Sequence, residues 1–321
     1  MEKTRFWEIA RCPSFSRGAG AFLENENVFF SFAIMYSVYL VLEFVEHDLK
    51  SLLDDMAEPF LPSEVKTLMQ QLASGVAHLH AHWILHRDLK TSNLLLNNRG
   101  ELKLADFGMA RAVSPGAAKL TRLVVTLWYR APELLLGTDD YGFEIDVWSL
   151  GCVFAELLTR DPLFPGSNEV DQLSKIFALL GTPTAESWPQ FRSLPNAKAL
   201  HPVLSQQRSS TSQLTPARFP YLTASGLGLL SSLLSLNPAS RPTASSLLSH
   251  AYFTEQPRPK PRELFPTFPS KAGQERRRKR VTPSAPVRGG EPAKIDQGDF
   301  AGLFARQAEE ERGAGFALRL G

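Results

Sequence analysis

The sequence predicts an α+β fold in which a small strand region precedes a predominantly helical bulk. Three observations predict it. Residues 28–42 form a β-branched and aromatic apolar run, which suits one or two buried strands. Two longer segments, 62–82 and 146–158, carry apolar residues at helical spacing. Between them lie short apolar pieces broken by turn residues, which read as strands and loops.

Residues 1–37 show no clear period, and 39–44 read as a buried strand. At fifteen residues, the run 28–42 is shorter than the ~20 needed to cross a bilayer, so no membrane segment is expected. Over 62–82 the positions Val65, Leu68, Met69, Leu72, Val76 and Leu79 recur at helical spacing, with Ser63 placed to cap the start. That stripe reads as core packing. Ile84-Leu85, Leu94-Leu95-Leu96 and 102–105 are strand-like, the last following an Asn97-Asn98-Arg99-Gly100 turn. Further helices are expected at 171–180, 225–236 and 244–250. Residues 190–222, rich in Ser, Pro and Gln, read as an exposed insertion. Beyond about Thr254 the Pro, Arg and Gly content is that of a disordered tail. The chain therefore divides into an atypical segment 1–37, a main domain 38–253 and a tail 254–321.

Composition excludes several classes. Hydrophobic residues make up 43% and charged residues 21%, ordinary for a soluble globular protein. The 35 Lys+Arg against 33 Asp+Glu leave +2, which argues against nucleic-acid binding by the whole chain. Two cysteines, Cys12 and Cys152, build neither a disulfide framework nor a cysteine-rich metal site, so a reducing compartment is expected. The first residues lack the apolar stretch of a signal peptide.

The chemistry-bearing residues are concentrated in one stretch. His86-Arg87-Asp88-Leu89-Lys90-Thr91-Ser92-Asn93 is followed by Asp106-Phe107-Gly108 and by Ala131-Pro132-Glu133. This order and spacing supply what phosphoryl transfer from ATP requires. Asp88 is placed to accept the proton of an attacking hydroxyl, and Lys90 to offset charge on the γ-phosphate. Asn93 and Asp106 are hard oxygen ligands suited to Mg²⁺ between phosphates. Gly108 is expected to supply the sharp turn after Asp106. His86 and Arg87 read as bracing the loop, and Trp128 and Tyr129 as packing residues. Each tripeptide alone is weak; together with Asp146-Val147-Trp148-Ser149-Leu150-Gly151 they are specific.

The chain thus resembles eukaryotic Ser/Thr protein kinases. The run 124–133, ending Trp128-Tyr129-Arg130-Ala131-Pro132-Glu133, resembles the activation-segment end of cyclin-dependent kinases. Glu46-His47-Asp48-Leu49-Lys50-Ser51-Leu52, Trp83-Ile84-Leu85-His86, Leu163-Phe164-Pro165-Gly166 and Gly181-Thr182-Pro183 are similar to the PITSLRE subgroup. The resemblance implies a protein-kinase-like fold, mostly the helical C-lobe with a remnant of the N-lobe sheet. It implies ATP and Mg²⁺ as cofactors, Ser/Thr-Pro sites of nuclear proteins in transcription, RNA processing or the cell cycle as substrates, a cyclin as partner, and a nuclear or cytoplasmic location.

Roles on matching residues follow from the same resemblance. Glu43 and Val45 fall where hinge backbone bonds adenine, with Leu42 as gatekeeper, Leu95 as pocket floor and Asp48 beside the cofactor. Thr121 falls at the activating phosphosite, with Arg87 and Arg111 to gather its phosphate; Leu120 stands where the family has tyrosine. Thr126 would bond Asp88 and Lys90, and Glu133 with Arg241 would form a buried ion pair. Val125 and Arg130 would shape the pocket after the phosphoacceptor. There proline is favoured because it has no N–H to leave unsatisfied.

Other family parts are not found. Only 42 residues precede Glu43, Gly18-Ala19-Gly20 is followed by Leu23, and Lys3 is the one lysine before Lys50. No glycine-rich loop, strand lysine or cyclin-facing helix is legible, and an N-terminally shortened form is the expectation. A catalytically inactive binding or competing module is therefore the alternative to an enzyme. The run Arg276-Arg277-Arg278-Lys279-Arg280 reads equally as a nuclear-import signal or a solvated charge run. Without the lysine–glutamate pair that positions the phosphates, the purified chain should show very weak or no kinase activity. Robust phosphorylation of a Ser-Pro peptide would overturn that expectation.

Overall fold

The computed structural model describes residues 30–34, 37–113, 126–197 and 212–269. The expectations for Thr121, Val125, the segment 1–29 and the basic run 276–280 lie outside the described residues. Two strands come first, β1 (Phe30–Ile34) and β2 (Ser37–Val41), antiparallel with Phe30 opposite Val41 and Ile34 opposite Ser37. The strand expected over 39–44 ends earlier than the apolar run suggested. Leu42 is 60% and Phe44 66% exposed, because both follow the last paired residue and leave the sheet.

The helical body is built on two helices, α2 (Pro62–Ala81) and α4 (Glu144–Thr159), which pack against each other. All six stripe residues of α2 named above are buried. Its start differs from expectation: Leu61, not Ser63, is the cap residue, with Pro62 in the first turn. Proline's fixed φ seeds that turn two residues earlier, and the Leu61 N–H donates to Glu64 Oε2 at 2.9 Å. Helix α4 is buried on every side from Ile145 to Leu157, the signature of a helix through the core rather than on its surface. It ends at Arg160 in the left-handed region (φ 62°), whose guanidinium donates to the Met56 carbonyl at 2.5 Å.

Around this pair lie α1 (Leu49–Asp55), the short α3 (Pro132–Leu135), α5 (Glu169–Leu180), α6 (Ala224–Leu233) and the short α7 (Ala244–Leu247). Asn168 caps α5 by accepting from the Asp171 N–H at 2.9 Å. Small ladders run from the residues before α1 to the loops between α2 and α3. β3 (His47–Asp48), β5 (Leu94–Leu96) and β6 (Leu102–Leu104) form one antiparallel sheet, and β4 (Ile84–Leu85) pairs with β7 (Arg111–Ala112). Among the described residues no helix is long and apolar enough to cross a membrane.

Two expectations need correction. The described flanks of 190–222 are not an exposed insertion: Phe191, Ala197, Phe219 and Leu222 are buried, since their apolar side chains close the base of the core. The segment expected to begin a disordered tail at Thr254 is instead docked as far as 269, with Phe265 only 6% exposed.

Glu133 and Arg241 do form a buried pair. Arg241 donates from its two terminal nitrogens to the two Glu133 oxygens at 2.6 and 2.7 Å. Its remaining donors reach the carbonyls of Ser235 at 2.8 Å and Glu144 at 3.0 Å, and its guanidinium lies 5.0 Å from the Trp148 ring. A charge so enclosed is costly to orphan. Arg241→Ala should destabilise the fold by about 3–5 kcal/mol in urea unfolding, and Glu133→Leu with Arg241→Met should recover part of that loss. An Arg241→Ala cost within the range of a surface substitution would contradict this account.

Candidate active site

The loop that follows β4 is held from beneath by one buried carboxylate. Asp146 in α4 accepts the His86 N–H on Oδ2 and the Arg87 N–H on Oδ1, both at 2.9 Å. His80 of α2 bonds Oδ2 at 3.0 Å. Burial alone would raise the Asp146 pKa, but the His80 and His86 interactions reverse it and hold it below the ordinary value. With its N–H so fixed, Arg87 takes a left-handed backbone (φ 63°), a conformation that non-glycine residues adopt only when over-determined. Its guanidinium bonds the Met109 carbonyl at 2.7 Å and the Tyr141 hydroxyl at 3.1 Å.

His86 ties the same loop to the segment after β6. Its Nε2 donates to the Ala105 carbonyl at 3.1 Å, leaving Nδ1 to accept the Asp88 N–H at 3.3 Å. A carbonyl only accepts, so the ring is neutral with the proton on Nε2. Burial holds its pKa below the usual histidine value. The bracing expected of His86 and Arg87 is what these bonds do.

Asp88, 7% exposed, is thereby presented with both oxygens engaged. Oδ1 accepts from Thr126 Oγ1 at 2.8 Å and from its N–H at 3.2 Å. Oδ2 accepts from Lys90 Nζ at 2.7 Å and Asn93 Nδ2 at 3.0 Å. Lys90 also reaches Thr126 Oγ1 at 3.0 Å, so Thr126 bonds both residues, as the resemblance implied. The second Asn93 N–H donates to the Asp88 carbonyl at 2.8 Å, which turns the Asn93 side-chain oxygen away from Asp88. The Ala105 N–H donates to the Asn93 carbonyl at 2.9 Å, bringing the chain carrying Asp106 alongside Asn93.

At Asp106 the turn is made differently than expected. Asp106 itself is left-handed (φ 61°, ψ 76°), and Gly108 is not. The Gly108 N–H closes the turn onto Asp106 Oδ1 at 3.2 Å, where a Cβ on Gly108 would stand 3.1 Å from that oxygen. Glycine there serves the close approach of that oxygen rather than a positive φ. Among the described residues no cluster of three His, Cys, Asp or Glu could hold a metal alone. The donor set is one amide oxygen from Asn93 and one exposed carboxylate from Asp106. It fits a hard ion that takes its remaining ligands from phosphates and water.

The remaining expected residues are partly brought together. Leu95 stands in β5 opposite Asp48 of β3 and Lys103 of β6. The Lys103 ammonium is salt-bridged to the Glu43 carboxylate at 2.6 Å. Asp48 accepts the Ser51 N–H at 2.8 Å and caps α1. Leu42 is exposed, so it lines no enclosed pocket among the described residues. Arg111 lies exposed on β7, two residues beyond the Met109 carbonyl that Arg87 grips. Arg130 is buried and paired with Glu169 at 2.5 Å.

Two residues of α4 were given no role from sequence: Asp146, read only as part of a motif, and Glu156, not named at all. A second network sits under the loop. Glu156 accepts Tyr129 Oη at 2.6 Å and Thr91 Oγ1 at 3.1 Å, so Tyr129 does more than pack. The usable signal was an acid inside an otherwise apolar helix, since a buried charge needs partners.

A family model described as "Protein kinase domain" matches residues 27–253, and the chain belongs to the protein kinase family. Within it the chain stands on the cyclin-dependent branch, with the PITSLRE likeness read from its sequence. It is 60% identical over 245 residues to Serine/threonine-protein kinase ppk23 of Schizosaccharomyces pombe, covering 76% of this chain and 60% of that protein. It is 50% identical over 234 residues to Cyclin-dependent kinase 11 of Dictyostelium discoideum, covering 73% and 64%. For Cyclin-dependent kinase 11B of Homo sapiens the figures are 44% over 295 residues, 89% and 36%. The chain thus spans from about a third to under two thirds of the length of these relatives. A chain of the crystal structure of the yeast RNA Pol II CTD kinase CTDK-1 complex superposes with TM-score 0.68 at 37% identity, over 75% of this chain and 80% of that one.

The two buried titrating groups set opposite pH limits. Glu156 is pushed up by burial to about 7, so its stabilising share is complete below its ordinary pKa of about 4.5 and is lost as pH rises through 7. His86 is depressed, so its share is present above its ordinary value near 6.5 and is lost as pH falls below it. The two slopes oppose each other below about pH 7, and neither group adds one well above it. In urea unfolding across pH 5 to 8.5, Glu156→Gln should remove a loss of stability on raising pH toward about 7, and His86→Gln a loss on lowering pH below about 6.5. A Glu156→Gln profile parallel to wild type would refute the assignment.

Proposed function

We propose that this chain is a cyclin-dependent-type serine/threonine kinase. It transfers the γ-phosphate of Mg-ATP to Ser/Thr-Pro sites of nuclear proteins in transcription, RNA processing or the cell cycle. The observation that carries this reading is the Asp88 carboxylate oriented at once by Lys90, Asn93 and Thr126. Asp88 would take the proton as the substrate hydroxyl oxygen bonds phosphorus and the bond to the β-phosphate oxygen breaks. The ammonium of Lys90, also bonded to Thr126, would neutralise charge growing on the transferred group. Bound Mg²⁺ would neutralise and align the phosphates; Asn93 and Asp106 would hold it. Glu43, Val45, Asp48 and Leu95 would bind the nucleoside, and Arg130 with Val125 the residue after the phosphoacceptor. A cyclin is the partner this branch implies, and a nuclear or cytoplasmic location goes with such substrates.

A second reading, a non-catalytic module that binds partners, is favoured by the exposure of Leu42 and Phe44. Neighbouring apolar side chains left in water suit a covering surface. Titration calorimetry with ATP separates the readings. On the enzymatic reading, binding requires Mg²⁺ and is lost in Asp106→Asn. Asp88→Asn then keeps the affinity and removes the weak turnover expected of this chain. Absence of binding at high nucleotide concentration would leave only the second reading.

A further inference from the structure

Residues 254–269 lie beyond the span of the family model, which ends at 253, yet they are fastened to the domain at successive points. Near the start of this strap the Lys66 ammonium of α2 donates to the Glu255 carbonyl at 3.2 Å. Farther on, the Lys260 N–H donates to the Ser63 carbonyl at 3.0 Å, and its own carbonyl accepts Thr67 Oγ1 at 2.6 Å. The Lys260 side chain reaches Glu64 at 2.9 Å. Phe265 then lies on Gly100, where an added Cβ would come within 2.7 Å of Phe265 Cβ and 2.8 Å of the Arg262 carbonyl.

The strap's last contacts are made beside the segment assigned above to the nucleoside. Asn98 grips both backbone groups of Phe268: Oδ1 accepts its N–H at 2.8 Å and Nδ2 donates to its carbonyl at 3.1 Å. The same carbonyl accepts from His47 Nε2 at 3.2 Å. The Phe268 ring meets the His47 ring edge-on, with centroids 6.0 Å apart and planes at 82°, and meets Phe60 likewise at 6.3 Å and 89°. His47 is buried and directly precedes Asp48 in β3, a strand of only two residues. So short a ladder holds little by its own backbone bonds. The side-chain clasp on its first residue supplies a restraint the strand lacks.

We propose that His47 and Phe268, closed by Asn98, are positioning residues for the nucleotide: the strap fixes residues 43–48 so that they present one shape to the nucleoside. This rests on the nucleotide-site reading above. The competing account is a strap that contributes only global stability. The two differ because a clasp acts on one segment, and a stabilising strap acts on the whole fold.

The test uses the full chain with Asn98→Ala and Phe268→Ala, and Arg262→Ala as a control. Arg262 belongs to the same strap but is half-exposed and paired with Glu101 at 3.7 Å. Three quantities are read: Mg-ADP affinity by calorimetry, thermal midpoint, and amide hydrogen exchange at residues 46–49. The clasp predicts Mg-ADP binding weakened by about five- to tenfold in Asn98→Ala and Phe268→Ala. Exchange at 46–49 should speed by about tenfold or more in both. Arg262→Ala should leave each within about twofold. His47→Gln, which retains an N–H for the Phe268 carbonyl, should keep more of the affinity than His47→Ala. Lower thermal midpoints with unchanged affinity and unchanged exchange would overturn the proposal. If the wild-type chain binds no Mg-ADP, the nucleotide-site reading falls and exchange decides the clasp. Unchanged protection in Asn98→Ala and Phe268→Ala then refutes it, and faster exchange confined to 46–49 upholds it as a local restraint.

Discussion

A single buried carboxylate, Asp146, holds the site together. It sits in the core helix α4 and accepts the backbone N–H groups of His86 and Arg87. Those bonds stabilise a left-handed Arg87, and that backbone in turn aims Asp88 upward into its cage of Lys90, Asn93 and Thr126. An isolated carboxylate in such a place would be prohibitively desolvated. Here three donors share its charge, and the rigidity of a helix buried on all sides is passed to a loop that has almost no regular structure of its own.

The same helix carries three further links. Glu156 binds Thr91 and Tyr129, joining the catalytic loop to the segment that leads to Arg130. The Glu144 carbonyl accepts from Arg241, which also holds Glu133. Ser149 Oγ donates to the Tyr129 carbonyl at 3.0 Å. The partners Thr91, Tyr129 and Arg241 come from three stretches of chain outside α4, so the helix acts as their common reference. Buried polar networks of this kind define one arrangement because every alternative leaves an unsatisfied group.

Legibility from sequence varied with the range of the interaction. Helix α2 was readable because Val65 to Leu79 carry the helical period, and its one misplaced feature, the cap, turned on the local contest between Pro62 and Ser63. The candidate side chains Asp88, Lys90, Asn93 and Asp106 were readable because they fall within two short motifs joined by the β5–β6 pair. The roles of Asp146 and Glu156 were not, because their partners lie 27 to 66 residues away in the chain. The docking of 254–269 was missed for the same reason. Its composition is that of a tail, and the contacts of Lys260, Phe265 and Phe268 with α2, Gly100 and His47 exist only once the body has folded.

By itself, then, the sequence determined the kinase-type motif order, the α-rich body and the candidate side chains for the chemistry, because periodicity and short spacing are local properties. Only the tertiary structure decided which of those groups meet and in what state: Asp88 with both oxygens engaged, His86 neutral, Asp106 rather than Gly108 in the left-handed region, and a strap ending on His47. Those outcomes depend on burial and on partners distant in the chain. Desolvation and hydrogen bonding act on neighbours in space, which a linear pattern does not contain.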